Sequence, residues 1–241
     1  MTLGIEVQKL KRTGYYPAFL AGALAASAFP LANMLVRAET FTILAGNPYD
    51  ILMDANWKMI AMVNVLLSIC GACMMYNTEY SDNGFRKMEV LPVRAGKLFA
   101  GKFIIAGLFL ALMILIESAV LAGCALHWFP SRETDLWGMV KGAAFQWTAA
   151  LPTVMLMLVI ASLCKNMWVS LGTGVILVFT MSIFPQENLV LSLFPFGSPF
   201  QTFAAADETG QLLLFLCICG IETVLFALLE ILSQKFRRYV Q

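Results

Sequence analysis

The sequence predicts an all-α integral membrane protein with six transmembrane helices, and three observations support this prediction. The 241-residue chain is 60% hydrophobic and only 13% charged, whereas a soluble domain is about 25% charged. Its apolar residues fall into six long stretches, and its basic residues lie mainly on one side of them. A bilayer is the solvent that suits such a chain, and we expect residues 1–241 to form a single transmembrane domain.

Each apolar stretch is close to or above the roughly 20 residues that a helix needs to cross about 30 Å of hydrocarbon. The predicted spans are residues 17–36, 57–76, 103–126, 143–164, 168–185 and 211–232. Only residues 165–167 separate the fourth span from the fifth, so we expect a tight helical hairpin there. Trp57, Tyr76 and Trp168 occupy span ends, where aromatic rings suit the headgroup region.

The distribution of lysine and arginine predicts the orientation, because basic residues concentrate in cytoplasmic segments. With a cytoplasmic N-terminus, twelve basic residues lie inside: Lys9, Lys11, Arg12, Arg86, Lys87, Arg94, Lys97, Lys102, Lys165, Lys235, Arg237 and Arg238. Four lie outside: Arg37, Lys58, Arg132 and Lys141. An even number of spans then places both the N- and C-termini in the cytoplasm. The net charge of +1 conceals this asymmetry and argues against nucleic-acid binding.

Residues 96–103, GKLFAGKF, nearly match the phosphate-binding P-loop. Two glycines and Lys102 have the G-x-x-x-x-G-K spacing, but Phe103 replaces the Ser or Thr that would hold Mg²⁺. No strand pattern precedes the stretch, and a membrane span follows it. The near match therefore does not predict a nucleotide site, and we interpret Lys97 and Lys102 as cytosolic anchors of the third span.

The loop after the second span, residues 77–102, carries a predicted short helix. The polar residues 81–83 are favourable N-caps, and a proline would end the helix that covers roughly residues 84–91. Phe85 and Met88 would share one face of this helix, which could fit a groove on another protein. The alternative is a helix that lies on the lipid surface.

Two motifs in this layout resemble those of ABC-2-type transporter permeases. One is the basic, amphipathic segment 1–14, which contains IEVQKLKRT, and the other is the loop pattern E-Y-x-x-x-x-F-R-K-M-E-x-L-P-V-R. The chain is most similar to the small permease subunits of bacterial lantibiotic-immunity transporters. The resemblance implies a multi-pass protein of the bacterial plasma membrane that expels a lantibiotic or similar antimicrobial peptide. The alternatives are an ABC-2 permease for another drug, a lipid or an ion, and a membrane sensor or intramembrane enzyme.

The resemblance also implies partners and site residues. The predicted helix would be a cytosolic coupling helix that docks on a separate ATPase, present in two copies, which binds the ATP and Mg²⁺. This chain itself would hold no cofactor, no metal and no catalytic residue. A second, different permease, membrane lipids and the peptide substrate would be the other partners. The implied docking residues are Glu79, Gly84, Phe85, Arg86, Lys87, Met88 and Glu89.

Residues 186–210, before the last span, contain no basic residue, yet residues 189–203 are too apolar for an ordinary aqueous loop. Pro195, Gly197 and Pro199 would interrupt any continuous helix. We expect a re-entrant or interfacial structure on the outer side of the membrane. A folded extracellular cap without lipid contact is the alternative.

Two acidic residues were assigned to spans, Glu117 in the third and Glu222 in the sixth. The helical rise places them roughly 13 Å and 16 Å from the outer ends of their spans, in nearly the same layer. One interpretation is that they line a polar substrate route. The other is that they join helices through hydrogen bonds, with Asn64, Ser118 and Gln146 as available partners.

The cysteines and the single histidine do not form a catalytic or metal-binding pattern. Cys70 and Cys73 have the C-x-x-C spacing, but they lie within the second span beside Gly71 and Ala72, as small packing residues do. His127 has no acidic or cysteine partner at a ligand spacing. The residues therefore give no support to an integral enzyme.

Overall fold

The structure is a computed structural model that describes residues 2–80, 95–130, 132, 135–164, 166–184 and 189–240. These residues form α-helices, one 3₁₀ turn at Ser198–Phe200 and connecting segments, with no β-strand among them. The helices are α1 (Thr2–Leu10), α2 (Tyr15–Thr42), α3 (Pro48–Tyr80), α4 (Ala95–Trp128), α5 (Leu136–Leu163), α6 (Met167–Ile183), α7 (Leu189–Ser192), α8 (Phe203–Glu208) and α9 (Leu212–Val240).

Five helices, α2, α3, α4, α5 and α9, are long and apolar enough to cross a membrane. They agree with five of the six predicted spans. The remaining stretch forms α6, an apolar helix of 17 residues, which at 1.5 Å per residue is about 26 Å long. This length is at the lower limit for a transmembrane helix. Asn166 caps α6, because its Oδ1 accepts a hydrogen bond from the backbone N–H of Trp168 at 2.9 Å.

Several helices extend beyond the apolar stretches that predicted them. α3 continues to Tyr80, and α4 begins at Ala95. The two helices therefore occupy both ends of the segment 77–102, which we had predicted to be a loop. The predicted coupling helix, residues 84–91, lies outside the described residues.

α3 and α5 are the central helices of the bundle. In the apolar 18-residue stretch that marks each of them as a candidate span, 61% is buried, against 11% for α9. α3 packs against α2, α4, α5 and α6, whereas α9 packs mainly against α5. Glycines allow close packing: a Cβ at Gly71 of α3 would lie 2.8 Å from the Phe19 ring of α2, and one at Gly174 of α6 would lie 2.7 Å from Ile69 of α3.

The segment before α9 folds back into the helix bundle. Phe196 and Ser198 are completely buried, and Ser198 Oγ donates a hydrogen bond to the backbone oxygen of Ala149, at 2.7 Å. Thr153 Oγ1 donates to the backbone oxygen of Pro195. Ala149 and Thr153 lie near the middle of α5, so the segment reaches the interior of the bundle rather than resting on its end. Residues 195–201 are termed the re-entrant segment because they return into the bundle, and their depth in the membrane stays a prediction.

Candidate functional site

Four charged side chains from three helices meet at one end of the bundle. α1 supplies Glu6 and Lys9, the last turn of α3 supplies Glu79, and α4 supplies Lys102. Lys9 Nζ lies 2.7 Å from Glu6 Oε1 and 3.0 Å from Glu79 Oε1. Lys102 Nζ lies 3.2 Å from Glu6 Oε2 and also contacts Glu79 Oε1. These four residues are termed the ion cluster.

The fold joins short local patterns into the ion cluster. Glu6 and Lys9 are three residues apart, so one face of α1 carries both. Tyr76 precedes Glu79 by the same spacing on α3, and Lys102 Nζ lies 5.2 Å from the centre of the Tyr76 ring. A cation at this distance is attracted by the ring. The ion cluster therefore joins α1 to both helices that flank residues 81–94.

The ion cluster is buried and its charges balance, with two carboxylates and two ammonium groups. The side chains of Glu6 and Lys102 are 2% exposed, that of Glu79 is 7% exposed, and that of Lys9 is 23% exposed. Burial alone would lower the pKa of Lys9, but its hydrogen bond to Glu6 and the charge of Glu79 outweigh burial and raise this pKa. Because ions this deep are costly without partners, loss of one member would leave an uncompensated buried charge.

Glu117 lies in the interior, between α4 and α3. Its side chain is buried, and its Oε2 accepts a hydrogen bond from Asn64 Nδ2 at 2.8 Å. Among the described residues, Glu117 Oε1 and Asn64 Oδ1 have no hydrogen-bond partner. The structure thus contains the helix–helix hydrogen bond that was one of the two interpretations of Glu117, and it leaves half of the polar atoms of this pair unsatisfied.

Two acids of α9 differ in their surroundings. Glu222 is half-buried, and its buried Oε2 has no hydrogen-bond partner in the part of the chain that the structure describes. Glu230 is completely buried and accepts hydrogen bonds from Ser162 Oγ at 2.6 Å and Gln234 Nε2 at 2.8 Å. Glu230 lies within the predicted span 211–232, but it was not among the acids that the sequence singled out.

Gly197 sits at the tightest point of the re-entrant segment. A Cβ at this position would lie 2.4 Å from the backbone oxygen of Leu191, so only glycine fits without a backbone shift. Pro195 and Pro199 flank it, and each supplies a backbone oxygen to a helix side chain: Thr153 donates to Pro195, and Trp57 Nε1 donates to Pro199 at 2.9 Å. These three predicted helix breakers therefore shape a segment that is bound to α3 and α5.

A family model described as "ABC-2 family transporter protein" matches residues 2–181, well over half of the chain. The chain belongs to this ABC-2 family. No curated protein and no solved structure matches it. The matched region of the ABC-2 family contains the ion cluster and Glu117, and it ends before the re-entrant segment and Glu222.

The predicted docking residues of this ABC-2 family member divide into two groups. Residues 84–89 lie outside the described residues, so their role stays a prediction. Glu79 lies at the end of α3, and its carboxylate contacts Lys9 and Lys102 within the bundle. Lys102 also differs from the cytosolic anchor that we expected, because it is 1% exposed. A lysine beside an apolar stretch is ordinarily solvated, and only the fold could show its two carboxylate partners.

Proposed function

We propose that the chain is the membrane-spanning permease subunit of an ABC exporter that is driven by a separate ATPase. The match to the ABC-2 family over residues 2–181 carries this proposal. The ATPase, in two copies, binds ATP and Mg²⁺ and docks on the coupling helix around residues 84–89. A second, different permease packs beside this chain and completes the pathway.

The ion cluster supports a specific route for coupling. It joins the ends of α3 and α4 that flank the docking segment, so a displacement of that segment moves both helices together. Asn64 lies 15 residues before Glu79 on α3, and Glu117 lies 15 residues after Lys102 on α4. At 1.5 Å per residue both distances are about 22 Å. A joint movement of α3 and α4 therefore reaches the Asn64–Glu117 pair and alters its exposure.

The proposed cargo is a lantibiotic or a similar cationic antimicrobial peptide, removed from the outer leaflet of a bacterial plasma membrane. The resemblance of the docking loop to lantibiotic-immunity permeases and the acids Glu117 and Glu222 support this cargo. Another drug, a lipid or an ion is the alternative cargo for the same subunit.

Co-purification with the ATPase tests the subunit assignment. The variant Phe85→Asp with Met88→Asp should abolish recovery of the ATPase while membrane insertion is retained, because two charges disrupt an apolar docking face. Arg86→Ala is the matched control and should have little effect, since an exposed ion pair contributes about 0–1 kcal/mol. Undiminished recovery with the double variant would refute docking through this face.

Two further measurements test orientation and cargo. In a cysteine-free background, a thiol reagent should reach Glu208→Cys from outside the cell and Lys87→Cys only after permeabilisation. In cells with the complete transporter, Glu117→Gln with Glu222→Gln should reduce lantibiotic resistance. Unchanged resistance would leave these acids with a role in helix packing only, and no protection by the intact transporter would remove the lantibiotic from the proposal.

A further inference from the structure

A polar cleft lies at the end of the bundle opposite to the ion cluster. Its lining comes from α3, α5 and the start of α8, and it includes Asp50, Asp54 and Gln146. On α3, 25 residues separate Asp54 from Glu79, which corresponds to about 38 Å. The cleft is therefore distinct from the ion cluster and from the docking segment.

Gln146 is the feature that marks this cleft as a binding site. Its side chain is 1% exposed, and neither its Nε2 nor its Oε1 has a hydrogen-bond partner in the described part of the protein. A buried amide left unsatisfied is costly, and proteins satisfy nearly all such groups. Because Gln146 lines the cleft, a polar group bound there would supply the missing hydrogen bonds.

The cleft also carries negative charge that no basic residue of its lining compensates. Asp50 and Asp54 are four residues apart, so they share one face of α3. Asp54 is exposed and Asp50 is half-buried, so the two carboxylates lie at different depths of the cleft. Asp135 and Glu208 lie close enough to Asp50 to add to the negative potential.

Two basic residues at this end of the bundle have contacts away from the cleft. Lys141 holds its Nζ 5.7 Å from the centre of the Trp137 ring. Arg132 donates hydrogen bonds to the backbone oxygens of Leu44 and Thr42, at 2.5 Å and 3.1 Å. The ion pairs among the described residues do not include Asp50 or Asp54, so both acids can take a cation from outside the chain.

Hydrogen-bond chemistry points to the kind of cation. The enclosed space of the cleft is small, which favours a compact primary ammonium over a guanidinium or a quaternary ammonium. A primary ammonium has three N–H donors, and the acceptors of the lining include the carboxylates of Asp50 and Asp54 and the Oε1 of Gln146. We propose that this cleft binds a primary ammonium group.

The test uses the full chain, purified in a detergent free of amines, and its thermal unfolding midpoint. Ethylammonium should raise the midpoint by roughly 3–6 °C at ten times its dissociation constant. Tetraethylammonium and sodium at the same ionic strength should give no comparable rise. An equal rise with tetraethylammonium or with sodium would overturn the proposal, because it would show a response to ionic strength or to any cation.

Variants locate the binding. Asp50→Asn with Asp54→Asn should weaken the response to ethylammonium at least tenfold, and so should Gln146→Leu. The matched control Asp207→Asn, an exposed acid at the same end that does not line the cleft, should respond like the wild type. Wild-type affinity in both cleft variants would overturn the proposal. Gln146→Leu removes no hydrogen bond within the described protein, so it should fold and keep the test decisive.

The lipid environment distinguishes between the possible sources of the ammonium group. In nanodiscs of phosphatidylethanolamine, the lipid headgroup should occupy the cleft and abolish the ethylammonium response, whereas phosphatidylcholine should leave it intact. A response that is equal in both lipids would assign the site to a soluble amine or to a lysine of a peptide, and a peptide with lysine should then outcompete its trimethyl-lysine counterpart. The measurement needs no ATPase, so its failure would leave the assignment as an ABC permease subunit unaffected.

Discussion

The ion cluster and the region of Asn64, Glu117 and Gln146 treat buried polar groups in opposite ways. In the ion cluster, each of the four charged side chains contacts an opposite charge. In the interior and toward the other end, Asn64, Glu117 and Gln146 each keep at least one buried polar atom without a hydrogen-bond partner. The charges of the first region are thus all paired within the chain. The second region keeps unsatisfied hydrogen-bonding atoms, which a ligand or a different arrangement of the helices could satisfy.

This difference indicates what each region is suited to do. A saturated ionic contact among α1, α3 and α4 favours one arrangement, because any separation exposes buried charge. Such a contact is suited to moving as one body with the docking segment. Unsatisfied groups favour binding, because a ligand that supplies hydrogen bonds recovers the free energy that their burial costs. Substitutions in the two regions should therefore have different effects, and the following predictions run from the largest to the smallest.

The largest effect should come from Lys102→Met. This change leaves two buried carboxylates with Lys9 as their single basic partner among the described residues, and breaking a buried ion pair costs about 3–5 kcal/mol. We expect a large loss of folded protein and a much lower unfolding midpoint in detergent. In the double variant Lys102→Met with Glu79→Gln, Glu6 and Lys9 form a balanced pair, and most of the stability should return. If Lys102→Met were as stable as the wild type, the buried carboxylates would not depend on Lys102 for charge compensation, and the prediction would be wrong.

The ion cluster also shows where sequence reasoning stops. The apolar stretches predicted the five long helices, because residues that face lipid or the core are apolar and such residues dominate the hydropathy of a span. The same stretches made two of these helices too short. α3 continues past its predicted end and α4 begins before its predicted start, in polar sequence that holds the paired charges of Glu79 and Lys102. Lys102 and Glu79 were visible as charges, but Lys102 also contacts Glu6 and Glu79 also contacts Lys9, and these partners lie far apart in the chain. Only the fold brings them together.

Distance along the chain limited the interpretation of the intramembrane acids in the same way. Asn64 was predicted as an available partner of Glu117, and the two side chains do form a hydrogen bond. Gln146 was named with it, yet its side chain lines the cleft without a partner. Glu230 was overlooked because its partner Ser162 lies on another helix. Residue type showed that partners were needed, and the packing of α3, α4, α5 and α9 decided which were found.

A smaller effect is expected at the Asn64–Glu117 pair. Glu117→Leu leaves the Asn64 Nδ2 donor unsatisfied, which should cost about 1–2 kcal/mol, whereas Glu117→Gln keeps an acceptor and should cost less. The double variant Asn64→Leu with Glu117→Leu removes both groups and should be close to the wild type in its unfolding midpoint. If the double variant lost as much as both single variants added together, the two side chains would act independently and the comparison of the two regions would fail.

The re-entrant segment should give a change of about 0.5–1.5 kcal/mol. Ser198→Ala removes the donor to the Ala149 backbone oxygen, which should speed amide hydrogen exchange in residues 195–201. Ser182→Ala is the control, because Ser182 Oγ donates to the Phe179 oxygen within its own helix, at 2.8 Å. Equal exchange in both variants would show that the segment does not depend on its bonds to α5.

Within the ion cluster, the smallest effect should come from Lys9→Gln. Lys9 is the one member with substantial exposure, 23% of its side chain, so water replaces part of what it supplies, and the loss should be clearly smaller than the cost of about 3–5 kcal/mol expected for Lys102→Met. The pKa of Lys9 is raised in the folded chain, so its contribution is present in full below the ordinary lysine value of about 10.4. It is lost as the pH rises through the folded-state pKa. The difference in unfolding free energy between wild type and variant should therefore stay constant from about pH 7 to 9 and shrink above about pH 10.5. A difference that already disappeared near pH 8 would mean that Lys9 is not held in its charged form by Glu6 and Glu79.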